Sequence, residues 1–216
     1  MSTTPIAPPV LAGGFILFDA EGKTLLRSIP FQYNPDTLTR TLTPRAAKAE
    51  SGDRLEALRL VGPPVETIKF DAEFDAVDRV GGNGGQPGGD GVAGDLAAIE
   101  MIISPASADI AAEARSAATG TLEILPAPSP MLVVVLGPNR ILPVRITDLG
   151  VVEEMFDTRL TPIRARVSLT LRVLNTDDLA PGSRGASLYV AALQRRERLA
   201  GARRGGLSAL GLSGAP

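Results

Sequence analysis

Between Ile163 and Leu174 apolar and polar residues alternate without a break. Val167, Leu169, Leu171 and Val173 interleave with Arg164, Arg166, Ser168, Thr170 and Arg172. Side chains fall on opposite faces at every step only in an extended chain, so this stretch is a strand with one face in a core and one in water. Val65 to Asp75 repeats the pattern. Ile68, Phe70, Ala72 and Phe74 point one way, and Lys69, Asp71, Glu73 and Asp75 the other. Two long half-buried strands demand a sheet closed over an apolar interior. Only 4% of the residues are aromatic, so aliphatic side chains must fill most of that interior.

Further strands are expected at Gly13 to Ala20 and Leu25 to Tyr33, a hairpin around Glu21-Gly22, and at Thr37 to Thr43, with its alternate threonines. Met131 to Leu136, Ile141 to Thr147 and Leu149 to Phe156 read as three more. Helices are expected at Asp95 to Ile103, Ser107 to Ala118 and Ala186 to Ala200. The fold class that follows is mainly β with one or two helices: a β-barrel or two packed sheets, plus a C-terminal helical extension. Residues 1–12 read as a flexible leader, 13–175 as the β domain, and 176–216 as a linker with a basic helix and tail. Gly81 to Gly91 holds seven glycines in eleven residues and reads as a loop. Its Gly89-x-Gly91-x-x-Gly94 spacing formally matches a dinucleotide fingerprint, but no strand leads directly into it.

The segment FQYNPDTL, Phe31 to Leu38, interrupts good strand material with Asn34-Pro35. Proline removes a backbone donor, and the residue before it is held away from helix. The stop ends one strand and turns the chain before the next, as an ordinary turn within one barrel would.

Cysteine and histidine are both absent. Disulfides, thiolate sites, histidine bases and a Ser-His-Asp triad are excluded. Carboxylates, Lys23, Lys48, Lys69, Tyr33 and Tyr189 remain for chemistry, and the expectation is that the chain is not an enzyme and carries no cofactor or metal. No apolar run is long enough for a membrane span. Six arginines between Arg184 and Arg204 face only Glu197, a surplus of five positive charges in a chain of net charge −2. No aromatics interleave the cluster from Arg195 to Arg204, which argues against nucleic acid and for a solvated face or an acidic protein partner.

The order of these segments carries a resemblance. FQYNPDTL, IKFDAEFD, a helix, MLVVVLGP, ILPVRITDL, EEMFD and LTPIRARVSLTLRV follow one another. Over Gly13 to Leu174 this resembles the tube-domain proteins of contractile injection systems, the phage-tail-like particles. The resemblance implies a tail-tube-like domain of two sheets packed as a small barrel, assembled as a ring of six. In such a ring the Asn34-Pro35 stop would instead redirect the next strand toward a neighbouring subunit. It further implies a structural ring subunit that joins the inner tube protein to the baseplate hub or spike. Assembly would be cytoplasmic, with release by lysis one route outward. An inner-tube subunit or a tail end cap is the alternative. Members of this family often continue into a LysM module, which is not expected here, since few residues follow Leu174 and the typical opening is missing.

Phe31, Tyr33, Asn34, Pro35, Leu38, Arg164 and Arg166 are the expected subunit-interface residues, and Arg195, Arg196 and Arg198 the expected partner-docking residues. Two other sets stand beside them. Asp71, Glu73 and Asp75, with Asp78 nearby, either bind a hard cation or form an acidic face against the arginines of Ile163 to Leu174 or of a neighbour. Glu153, Glu154 and Asp157 are paired acids of the kind used in glycoside chemistry. They define the alternative from another class, a carboxylate enzyme or a sugar-binding β-sandwich.

Overall fold

The structure is a computed structural model that describes residues 13–46, 59–77, 90–118, 129–203, 205, 211 and 213. Seven strands and three helices lie among them. The strands are β1 (Gly14–Phe18), β2 (Leu25–Pro30), β3 (Leu38–Thr43), β4 (Val65–Asp75), β5 (Met131–Val135), β6 (Ile141–Phe156) and β7 (Pro162–Val173). The helices are α1 (Ala93–Ile103), α2 (Ser107–Ala118) and α3 (Arg184–Gly201). The protein is therefore mainly β, as its alternating pattern requires. The leader and most of the Gly81 to Gly91 loop lie outside the described residues.

All seven strands belong to one antiparallel sheet in the order β2-β1-β5-β6-β7-β4-β3. Its two edges, β2 and β3, are joined by residues 31–37. Laid flat, those edges would stand six strand spacings apart, about 29 Å. Eight residue steps from Pro30 to Leu38 reach at most about 29 Å even when fully extended, and this segment bends at Asn34-Pro35, so it falls short of that distance. The sheet must curl, and aromatic contacts show that it does. Phe31 meets Phe15 of β1 edge-on at 5.2 Å and Phe70 of β4 at 5.4 Å between ring centroids. The Gln32 side chain then closes the seam by mimicking a strand. Its Nε2 donates to the Asp75 carbonyl at 2.7 Å, and its Oε1 accepts from the Asp75 amide at 2.9 Å. Asn34 Oδ1 accepts from the amide of Gly13 at 2.9 Å, fastening the crossing segment to the start of β1. The Asn-Pro stop thus carries the chain from one edge of its own sheet to the other.

Inward residues of β4 and β7 fill the core: Ile68, Phe70, Ala72 and Phe74 against Ala165, Val167, Leu169, Leu171 and Val173. Leu96 and Ile99 of α1 complete it. Asp75, expected on the solvent face, is instead only 5% exposed, with Arg164 paired to its carboxylate and the Gln32 side chain bonded to its backbone. The two expected strands at Ile141 to Phe156 are one long strand, β6. Its pairing with β7 slips between Ile146 and Asp148, so Thr147 is the extra residue of a β-bulge and the ladder continues past it. Gly91 explains part of the glycine-rich motif. It has φ +53°, and a Cβ there would lie 2.1 Å from the Pro162 carbonyl oxygen, which accepts from the Val92 amide at 3.0 Å. Its role is close backbone packing of the entry to α1 against β7.

Ser183 caps α3, accepting from the Ala186 amide at 3.2 Å. The helix buries Ala186, Tyr189 and Ala192 and is pinned at both ends. Near its start, the Arg184 guanidinium lies 4.6 Å from the centre of the Phe18 ring on β1. Near its end, Arg196 reaches β4.

Candidate functional site

Two regions gather the charged and exposed apolar side chains, and they lie at opposite ends of β6. The first is built around Glu66. This carboxylate shares the inward parity of Ile68 and Phe70 and is only 2% exposed. Its Oε1 accepts from Arg40 Nε at 2.8 Å and Nη2 at 2.6 Å, and its Oε2 accepts from Arg196 Nη2 at 2.7 Å. Both oxygens are thereby met by guanidinium donors, the arrangement a buried carboxylate needs. Arg40 and Arg196 turn their remaining surface to a pocket of 390 Å³, also lined by Leu136, Pro138, Asn139, Arg140 and Leu199. Arg140, from the β5–β6 turn, is exposed and makes no ion pair with another described residue. Beneath the triad, burial raises the pKa of Tyr189 above its ordinary 10.0; Arg196 pulls it down, while Glu66 and Asp177 add to the rise.

The second region is the far end of the β6–β7 hairpin. From Gly150 to Phe156 every residue of β6 is exposed. Val152, Met155, Phe156 and Leu160 put apolar surface into water there, Met155 at 60% and Leu160 at 80% exposure. Glu153 and Glu154 stand among them without an ion pair to another described residue. Asp157 staples the turn. Its Oδ1 accepts from the amides of Thr161 at 2.8 Å and Arg159 at 2.7 Å, which together hold its pKa below the usual carboxylate value despite the opposing effect of desolvation. Met155 and Leu160 adopt φ of +55° and +62°, a left-handed conformation seldom taken by side-chain-bearing residues.

The expected interface residues divide. Phe31 is buried in the seam and Leu38 is half-buried beside the core. Tyr33, Asn34, Arg164 and Arg166 are exposed and Pro35 is half-buried. Tyr33 and Arg164 meet in a pocket of 240 Å³ with Glu73, Phe74 and Asp75. Arg164 pairs with Asp75 at 2.5 Å and Arg166 with Glu73 at 2.8 Å, while Ser168 donates to Asp71 at 2.8 Å. The acidic residues of β4 therefore face the polar side chains of β7 within this chain. Among the expected docking arginines, Arg196 is committed inward to Glu66 and Arg198 is exposed. Arg195 Nη1 is buried without a hydrogen-bond partner among the described residues. Sequence reasoning passed over Glu66, Arg40 and Arg140. Strand parity would have found Glu66, since residue 66 shares the face of residues 68 and 70.

No protein-family model matches the chain, and no curated protein matches it. Among solved structures, one similar chain belongs to the tail of an empty GTA particle determined with helical refinement in C6 symmetry. It is 13% identical, with 74% of this chain and 90% of that chain covered and a TM-score of 0.29. Among the described residues no helix is long and apolar enough to cross a membrane.

Proposed function

We propose that this chain is a structural ring subunit of a phage-tail-like contractile injection particle, joining the inner tube to the baseplate hub or spike. One observation carries the reading: the surface is unfinished in the way an assembly subunit's is. Among the described residues neither sheet edge, β2 or β3, pairs with a further strand, Leu25 and Leu26 on one and Leu42 on the other are exposed, and the β6–β7 hairpin holds apolar residues in water. A monomer normally blunts open edges and avoids such patches, whereas a subunit covers them with copies of itself or with partners. The order of sequence segments, which resembles tube-domain proteins, supplies the kind of assembly. Its work is geometric, a collar held by edge pairing and apolar contacts, and no reaction is assigned to it.

Negative-stain imaging with native mass measurement, with and without the candidate inner-tube protein, tests the reading. Closed rings that cap tube ends are the expected result. Rings that extend along a tube would make the chain a tube subunit. A strictly monomeric protein that ignores the tube would overturn the assembly role.

A further inference from the structure

We infer that the repeating contact between copies is head-to-tail: the β6–β7 hairpin tip of one copy seats in the basic pocket beside α3 of the next. This rests on the assembly role proposed above and specifies its interface. The two surfaces are complementary in charge. The tip, residues 152–166 by strand pairing, carries Glu153, Glu154 and Asp157 beside Arg159, Arg164 and Arg166, of which Arg164 and Arg166 are paired with Asp75 and Glu73 of β4, while the pocket carries Arg40, Arg140 and Arg196 against Glu66. They also match in apolar character. Val152, Met155, Phe156 and Leu160 surround the tip acids, and Leu136, Pro138 and Leu199 rim the pocket. The charges that would be joined are those without an ion pair to another described residue, Glu153 and Glu154 at the tip and Arg140 at the pocket.

The two surfaces cannot meet within one chain. Arg140 directly precedes β6, and the tip begins at Val152 near its other end. The eleven residues between them, 141–151, hold the two about 40 Å apart along the strand. A surface at one end that fits a different surface at the other makes a heterologous contact, which closes into a ring when the rotation per step divides the circle.

The natural absence of cysteine makes the test direct. Met155→Cys and Leu199→Cys, both exposed positions, are prepared as separate variants, mixed in equal amounts and oxidised. The expected result is a disulfide-linked dimer holding one of each, abolished by Glu154→Arg on the first variant or Arg140→Glu on the second. Restoration when both reversals are present completes the pattern. Linkage of each variant only to itself, or none at all, overturns the contact. Imaging of the same samples separates this contact from the wider role. Rings without the mixed crosslink remove the contact and leave the ring subunit standing. The mixed crosslink in open filaments keeps the contact and removes the ring.

Discussion

Glu66 sits where a carboxylate is costly, in the inward row of β4. It is tolerated because Arg40 on β3 and Arg196 on α3 meet both its oxygens. Removing one member of such a set leaves buried charge without its counterpart, the expensive case, whereas removing the whole set for apolar residues of similar size is close to neutral. Glu66→Ala is expected to lower unfolding stability by about 3 kcal/mol, the low end for buried pairs because both arginines remain partly exposed. Urea unfolding of Glu66→Ala beside the triple variant Arg40→Met, Glu66→Leu, Arg196→Met checks this. The triple variant is expected to recover most of the loss, and equal losses in both would show that the triad's charges do not matter.

At the level of elements, α3 is held by Arg184 on Phe18, by Tyr189 in the core and by Arg196 on Glu66. Tyr189 gives this docking a pH dependence. Its folded pKa is raised, so the neutral phenol is favoured in the folded state. The resulting stability is full below the unfolded value near 10.0 and is lost as pH rises through the folded value. Wild-type protein is expected to lose urea stability more steeply above pH 10 than Tyr189→Phe, and parallel curves would refute the assignment. The extent of each element was unevenly legible in the sequence. β4 and β7 declare themselves because each has one dry and one wet face. The bulge at Thr147 did not, since one extra residue shifts parity and makes one strand read as two. The hairpin tip also escaped notice. Val151-Val152 and Met155-Phe156 read as strand interior, and sequence carries no mark that separates apolar residues in a core from those awaiting a neighbour. Arginines alone could not show that Arg196 turns inward, because its partner lies 130 residues away on another element.

For the whole molecule, the decisive contact is the seam. Phe31 links two strands that lie second from opposite edges of the sheet, so its ring holds the curl closed. Phe31→Ala is expected to cost about 3–5 kcal/mol, measured by urea unfolding, and a loss below about 1 kcal/mol would mean that the curl is maintained elsewhere. The aromatic that opens the Asn-Pro motif is thus a fold residue first, and within the motif it is Tyr33 and Asn34 that are exposed.

The seam also gives the barrel a mechanical character. Around most of its girth the strands are stitched by a continuous ladder of backbone hydrogen bonds, which resists stretching. Across the gap between β2 and β3 the closure is by side chains, with Gln32 gripping Asp75 and Phe31 wedged between Phe15 and Phe70. Side chains can slide and re-seat where a ladder must break. Circumferential load therefore concentrates at this line, and the barrel behaves less like a welded pipe than like a clasped cuff, stiff along its length and compliant in its width.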